Sequence, residues 1–214
     1  MTAAGIRQRE REIVDATRAL FDARGMQDAP IDAVARAVGL SRALIYRHFS
    51  SKEELFIHTV TRYLDELDGR VGAAADGADG PEEQLRAVTE AYADFCLQYP
   101  AFLDCALSLM RRPASELQER VSDATWIRLG QGMAAGLSVL TRVLAEGHEA
   151  GVFAVDDPDF TANQLYTSAL GTMHLARLGV GVREVAPGVP AAFPIDHARV
   201  REEVTRAALR IVAA

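Results

Sequence analysis

Cysteine is scarce in this sequence, and long apolar runs are absent. The two cysteines, Cys96 and Cys105, match no zinc-binding spacing and lie in apolar helical stretches, which indicates buried free thiols in a reducing cytoplasm. No apolar segment approaches the roughly 18 residues that would cross a bilayer. The charged N-terminus has no apolar segment behind it, so we expect no signal peptide. These absences argue against a disulfide-stabilised secreted domain, a zinc module and a membrane-spanning protein.

The sequence also lacks the residue patterns of catalysis. No His, Asp or Glu cluster has the spacing of a metal site, and no Ser or Cys stands in a nucleophile context. The Gly130-Gln131-Gly132 segment follows no predicted strand, which argues against a dinucleotide-binding loop. We therefore expect no enzyme activity, no cofactor and no metal. The alternative of an all-α enzyme would need a catalytic constellation that the sequence does not contain.

Negative charge predominates, but it is unevenly distributed. The chain carries 23 Lys and Arg against 30 Asp and Glu, a net charge of −7. Residues 1–52, which include the only lysine, Lys52, hold nine basic and six acidic side chains and are therefore net positive. A basic segment on an acidic body indicates that this segment is the part that meets phosphate.

Helical patterns dominate, and we expect an all-α fold with no strands. Caps, glycines and prolines predict helices over 6–24, 30–38, 41–48 and 51–69, from 81 to the interruption at Pro100, from 113 to about 150, over 158–178, and from 196 onwards. The Gly/Ala/Asp-rich residues 70–80 are predicted to form a linker, and 179–195 a loop.

Residues 31–49 have the pattern of a helix-turn-helix. Ala35 is small where the two helix axes would cross, and Gly39 suits the positive φ of the turn. Leu40 and Ile45 are the apolar residues that would hold the second helix on the first. Such a unit presents the N-terminal part of its second helix to the major groove of DNA. The alternative is an ordinary helical hairpin with solvated arginines.

The candidate DNA-binding residues lie on that second helix and just beyond it. Arginine reads a guanine edge, alanine or leucine meets a thymine methyl group, and hydroxyl and ammonium groups bind phosphate. The predicted contacts are Arg42, Ala43, Leu44, Tyr46, Arg47, His48 and Lys52. The arginines at 7, 9 and 11 are predicted to form an additional arm along the backbone or in the minor groove.

The run from Ile6 to Phe56 resembles the tetracycline-repressor (TetR) family of bacterial regulators. The shared elements are Ala19-Leu20-Phe21 with Gly25, the Ala35 to Ser41 turn, and Ile45 to Phe49 followed by Ser51 to Leu55. Two features depart from the family pattern: Ala29-Pro30 stand where hydroxyl residues usually precede the second helix, and Ala43-Leu44 replace the usual recognition-helix pair. The operator therefore cannot be copied from a relative.

The resemblance implies an N-terminal DNA-binding domain, residues 1–50, and an effector-binding and dimerisation domain, residues 51–214, whose first helix, 51–69, connects the two. It implies a cytoplasmic homodimer that binds near-palindromic double-stranded operator DNA and does not bind membranes. We expect a repressor that a small hydrophobic or aromatic effector releases from DNA. The alternative is an all-α ligand-binding or interaction protein that does not bind DNA.

Two apolar stripes are candidates for the dimer interface. They comprise Leu165, Ala169, Thr172, Met173 and Ala176 in the helix 158–178, and Val200, Val204, Ala207, Ala208 and Ile211 in the last helix. Either stripe could instead be core within one chain. The effector-pocket candidates, each also explicable as core, are Tyr92, Phe95, Trp126, Met133, Tyr166, Met173 and His174.

Overall fold

The computed structural model describes residues 3–26, 29–111 and 113–213. Within these ranges the chain forms ten helices and one small antiparallel sheet. In chain order they are α1 (Ala3–Arg24), α2 (Ile31–Ala37), α3 (Arg42–His48), α4 (Lys52–Asp76), α5 (Gly80–Gln98), α6 (Pro100–Met110), α7 (Ala114–Gln118), α8 (Asp123–Glu149), α9 (Pro158–Leu178), β1 (Val180–Ala186), β2 (Val189–Pro194) and α10 (His197–Val212). The expected all-α fold with an N-terminal helix-turn-helix is confirmed. None of the helices in the described ranges is long and apolar enough to cross a membrane.

The chain divides into two compact units. The first comprises residues 1–66 and 99–133, and the second comprises residues 67–98 and 134–214. Two helices, α4 and α8, contribute residues to both units.

The first unit has a core built around its three N-terminal helices. Amphipathic patterning places one apolar face of each helix inward, because burying those side chains removes apolar surface from water. The core residues, all buried, are Ile13, Val14, Ile31, Val34, Ala35, Ile45, Phe49 and Leu55. The prediction that Ile45 holds the second helix of the motif on the first is confirmed, since its side chain is fully buried.

The second unit packs α10 against α5 and α9. Asp157 caps α9 by accepting a hydrogen bond from the Phe160 amide at 2.9 Å, and Asp196 caps α10 through the Ala198 amide at 3.0 Å. A short acidic side chain satisfies the free amides of a helix N-terminus, and both helices begin where the sequence predicts them.

Three secondary-structure predictions are wrong. Residues 70–76 are helical and not linker, since alanine favours helix and Val71 and Ala75 are buried. The predicted helix from 113 to 150 is broken between Gln118 and Asp123. Residues 180–194 form the β1–β2 hairpin where a loop was expected.

Most residues of the two candidate dimer stripes are buried within one chain. The side chains of Leu165, Met173, Val200, Val204 and Ala208 are each at most 5% exposed within a single subunit. These side chains pack α9 against α10. The periodicity of the sequence predicts that these helix faces are buried, but it does not identify the helix that covers them. The side of α9 that remains exposed carries Phe160, Gln164, Gly171, Leu175 and Leu178.

Candidate nucleic-acid interface and ligand-binding region

The turn between α2 and α3 has the geometry that the motif requires. Gly39 adopts φ +66°, a backbone conformation that is unfavourable for residues with a Cβ atom. The Leu40 amide donates a hydrogen bond to the Ala35 carbonyl at 2.9 Å. The Ser41 hydroxyl then caps α3 by accepting a hydrogen bond from the Leu44 amide at 3.3 Å. These local contacts hold the two helices of the motif at a defined angle.

The outer face of α3 is polar, basic and exposed. The side chains of Arg42, Ala43, Tyr46 and Arg47 are exposed, and that of Leu44 is half-buried. The Arg42 guanidinium lies 5.6 Å from the centre of the Tyr46 ring, within the range of a cation–π contact. Lys52, the first residue of α4, is also exposed. Six of the seven predicted DNA-contact residues therefore lie at or near one surface of the first unit.

His48 is placed differently from the other predicted contacts. Its side chain is only 13% exposed, and its Nδ1 lies 3.7 Å from a carboxylate oxygen of Glu10 on α1. His48 thus faces α1 and lies at the edge of the exposed surface.

The N-terminal arginines belong to a helix and do not form an extended arm. Arg9 pairs with Glu12 at 2.7 Å, and Arg11 donates to Gln8 at 2.7 Å, both within α1. A helix is too wide for a minor groove, which leaves contact of these arginines with the DNA backbone as the prediction.

A polar and aromatic cluster attaches α1 to α4 and α6. The Arg18 guanidinium lies over the rings of Tyr63 and Tyr99, at 4.3 and 4.7 Å from their centres, and pairs with Glu66. The Tyr63 hydroxyl donates to Asp22 at 2.6 Å. Burial and this bond to a carboxylate raise the pKa of Tyr63 well above its usual range. The cluster therefore holds α1 against α4 and the start of α6.

A buried carboxylate connects the end of the recognition helix with α8. Glu54 on α4 is 8% exposed and accepts hydrogen bonds from the amide and hydroxyl of Ser50, which follows α3. It also accepts from the hydroxyls of Ser122, at 2.8 Å, and Thr125, at 3.0 Å, at the start of α8. Burial alone would raise the pKa of Glu54, but these hydrogen bonds outweigh it and lower the pKa from 4.5 to about 2.

His58 extends this network. Its Nε2 lies 3.2 Å from the Thr125 hydroxyl, and its ring stacks edge-on against Phe49 at the end of α3, with 5.4 Å between ring centres. Burial lowers the pKa of His58 despite the nearby Glu54 carboxylate. The neutral imidazole therefore packs between the recognition helix and α8.

Five of the seven predicted effector-pocket residues lie on α5 and α9 in the second unit. Tyr92 and Tyr166 stack edge-on with 6.2 Å between ring centres, and Phe95 and Met173 are fully buried. The buried Tyr92 hydroxyl has no well-aligned hydrogen-bond partner, although the neighbouring Cys96 thiol interacts with it. His174 Nδ1 is likewise buried and unpartnered.

Trp126 and Met133 lie on the part of α8 that belongs to the first unit. Trp126 is half-buried, and Met133 is 40% exposed. Among the predicted pocket residues, Tyr92 and Tyr166 contact each other through their rings.

Sequence reasoning missed the Glu54 network and one polar residue of α5. Glu54, Ser122 and Thr125 meet across 68 to 71 positions of sequence, and no local pattern reveals such a contact. Gln84 carries a buried unpartnered Oε1 on α5, two helical turns before Tyr92. A polar residue on the apolar face of α5 was the available signal.

Comparison with known proteins agrees with this arrangement. Residues 13–59 match the model of bacterial regulatory proteins of the tetR family, and residues 83–188 match the C-terminal domain of AefR-like transcriptional repressors. The transcriptional activator FasR of Mycolicibacterium smegmatis is 34% identical over 88 residues, 41% of this chain and 40% of FasR. The chain thus spans about two fifths of the length of this relative.

Two further relatives match most of the chain. The transcriptional repressor KstR2 of Mycobacterium tuberculosis is 26% identical over 195 residues, 88% of this chain and 86% of KstR2. The structure of the regulator PfmR from Thermus thermophilus superposes with a TM-score of 0.62 and 25% identity, covering 92% of this chain and 97% of PfmR. The chain belongs to the TetR family of transcriptional regulators.

Proposed function

We propose that the protein binds operator DNA through the exposed face of α3. The observation that carries this proposal is the set of exposed side chains on a capped recognition helix, above all Arg42 and Arg47, in the net-positive end of the chain. The two arginines are suited to guanine edges, Ala43 and Leu44 to thymine methyl groups, and Tyr46 and Lys52 to phosphate. His48, which contacts Glu10, would meet DNA only from the edge of this face.

The operator is proposed to be near-palindromic because a homodimer presents two copies of α3. Two recognition helices about 34 Å apart enter successive major grooves on one side of the duplex. The protein acts in the cytoplasm, where bacterial DNA lies.

The effector site is proposed to lie between α5 and α9. Tyr92, Phe95, Tyr166 and Met173 supply aromatic and apolar surface. The unpartnered atoms of Gln84 and His174, and the Tyr92 hydroxyl beside the Cys96 thiol, supply hydrogen-bonding groups. A buried polar atom without a partner costs free energy, which a ligand group at the right position recovers. The effector is therefore a mainly apolar or aromatic molecule with at least one polar group. Trp126 and Met133 are left out of this site.

The effector is proposed to act by shifting a conformational equilibrium. It must bind one conformation more tightly than the other, because equal affinity changes nothing. The Glu54 network is suited to transmit the change, since Glu54 lies on α4 and its partners Ser122 and Thr125 lie at the start of α8. Loss of these bonds would free Ser50 and alter the position of α3.

DNA binding is tested by measuring the affinity for a fluorescent duplex across a series of salt concentrations. We expect the dissociation constant to rise steeply with salt, because phosphate contacts release counterions. Arg47→Ala should weaken binding about ten-fold or more. Arg86→Ala, a matched control on α5, should leave it unchanged, because Arg86 pairs with Glu82 and Glu83 of its own helix. A salt-independent affinity, or equal effects of both variants, contradicts the proposal.

Effector binding is tested by the melting temperature in the presence of acyl, aromatic and cationic compounds. A ligand that binds the folded state raises the melting temperature, and the rise grows with ligand concentration. A compound that binds should lose about five-fold or more in affinity in Tyr92→Phe, which keeps the ring and removes the hydroxyl. Tyr46→Phe on α3 is the control. If no compound of any class raises the melting temperature, the pocket proposal fails.

A further inference from the structure

A cleft in the first unit shares one residue with the proposed DNA-binding surface. We call it the Lys52 cleft; it has a volume of about 210 Å³, and its lining includes Phe21, Val34, Lys52, Leu55, Leu109 and Leu117. Helices α1, α2, α4, α6 and α7 therefore all contribute to it. Every lining residue falls within the ranges 1–66 and 99–133 that form the first unit. The Lys52 cleft is thus separate from the proposed effector site on α5 and α9.

The walls of the Lys52 cleft are apolar. Phe21, Val34, Leu55 and Leu117 are all buried, and each comes from a different helix. Ala29, from the pair that departs from the family pattern, adds only a methyl group to the wall. An engineered apolar cavity of about 150 Å³ in another protein takes up benzene. The Lys52 cleft is therefore large enough for one aromatic ring or a short alkyl chain.

The two charged residues of the lining differ in their partners. The Glu53 carboxylate pairs with the Arg120 guanidinium at 3.2 Å. Lys52 is the exposed member of the lining, and its ammonium group forms no ion pair with any residue of 3–26, 29–111 or 113–213. The charge that is left without a counter-charge in these ranges is positive, and it lies where the cleft meets solvent.

We infer that the Lys52 cleft binds a small organic anion, with an aromatic or short alkyl body between the apolar walls and a carboxylate on Lys52. Ligand sites typically combine apolar walls with a few polar groups that fix the orientation of the ligand. An ammonium–carboxylate hydrogen bond is stronger than a bond between neutral groups. The flexible lysine stem lets the ammonium group follow the carboxylate of a bound molecule.

Such an anion competes with DNA for Lys52. The same ammonium group is proposed to contact phosphate, and a carboxylate bound to it takes the place of that contact. An occupied cleft therefore weakens DNA binding without any change on α5 and α9. This consequence rests on the proposed function, whereas binding of the anion does not.

Titration calorimetry with phenylacetate and its neutral counterpart phenylacetamide tests the site. The two molecules have nearly the same shape, so a difference in their affinities reports the charge. Phenylacetate should bind the unaltered protein about five-fold or more tightly than phenylacetamide. Lys52→Gln should abolish this preference. Arg62→Gln, the matched control on α4, should retain it, because Arg62 pairs with Asp15 at 3.0 Å and does not line the cleft.

Amide chemical shifts of the isotope-labelled protein locate the bound phenylacetate. The shifts should change in residues 29–34, 52–56 and 108–109, which line or adjoin the cleft, and should stay constant on α5 and α9. Changes confined to α5 and α9 would place the compound in the proposed effector site and overturn the inference. Absence of phenylacetate binding, or a preference for the anion that survives Lys52→Gln, overturns it as well.

DNA affinity measured with each compound at equal ionic strength separates this inference from the proposed function. Saturating phenylacetate should raise the dissociation constant of the unaltered protein for a duplex towards that of Lys52→Gln, and should leave the variant unchanged. Phenylacetamide at the same concentration should have no effect. An unchanged DNA affinity with phenylacetate bound overturns the competition for Lys52. If the protein binds no duplex at all, the proposed function fails, and the calorimetry still decides whether the cleft binds the anion.

Discussion

The hydroxyl of Ser122 donates a hydrogen bond to the buried carboxylate of Glu54 across 2.8 Å. The same carboxylate accepts bonds from Ser50, the second residue after the recognition helix. One side chain therefore bonds both to the segment that follows α3 and to the residue before α8. This arrangement gives the proposed DNA-binding surface a specific physical connection to the rest of the first unit.

Glu54→Gln should destabilise the protein by about 2 kcal/mol at pH 7, because an amide cannot accept all the hydrogen bonds that the carboxylate accepts. The folded-state pKa of Glu54, about 2, is below the value of 4.5 for an unperturbed Glu. The contribution is therefore complete above about pH 4.5 and is lost as the pH falls towards 2. Urea unfolding at pH 7, 5 and 3 measures it, and the difference from the unaltered protein should shrink at pH 3.

Glu53→Gln is the control for that experiment. Glu53 lies in the same helical turn and pairs with Arg120 at 3.2 Å on the surface, so its loss should cost less than about 0.5 kcal/mol. Equal costs for the two variants would show that the buried network contributes nothing specific.

Two glycines of α8 should respond oppositely to alanine. A Cβ at Gly147 would overlap the Phe153 ring, which is buried against this helix, whereas a Cβ at Gly136 meets nothing within 4 Å. Gly147→Ala should lower the stability by about 2 kcal/mol, and Gly136→Ala should raise it by about 0.5–1 kcal/mol through helix propensity. Thermal unfolding of both variants checks this, and a stabilised Gly147→Ala would refute the close packing of Phe153.

The two cysteine thiols should be unreactive in the folded protein. Burial raises the pKa of Cys96 to about 12 and that of Cys105 further, so almost no thiolate is present at pH 8. A thiol-specific disulfide reagent should modify neither residue until denaturant is added, and then both. Ser115→Cys on the exposed α7 is the positive control and should react at once. Rapid modification of the unaltered protein would contradict the burial of the two cysteines.

Local contacts explain which parts of the fold could be predicted. The turn at Gly39, the Ser41 cap and the apolar face of α3 all depend on residues within a few positions of each other, so their pattern is visible in the sequence. The hairpin was missed because Gly181, Pro190 and Pro194 interrupt the alternation that is typical of strands. The register between β1 and β2 appears only in three dimensions.

Contacts between distant residues explain what could not be predicted from the sequence. The apolar stripes of α9 and α10 correctly indicate burial, but the identity of the covering helix depends on how the whole chain folds. The Glu54 network joins residues about 70 positions apart, and each of its members has an ordinary local role as a cap or a surface residue. The DNA-contact residues remain predictions, placed now on an exposed and supported helix.

Selection from a pool of random duplexes tests the central claim most directly. The purified protein is incubated with the pool at near-physiological salt, and the retained duplexes are sequenced. We expect one near-palindromic motif with half-sites one helical turn apart, and loss of its enrichment in Arg42→Ala but not in Arg86→Ala. If no motif is enriched at any salt concentration, and Arg42→Ala behaves like the unaltered protein, the exposed face of α3 does not read DNA.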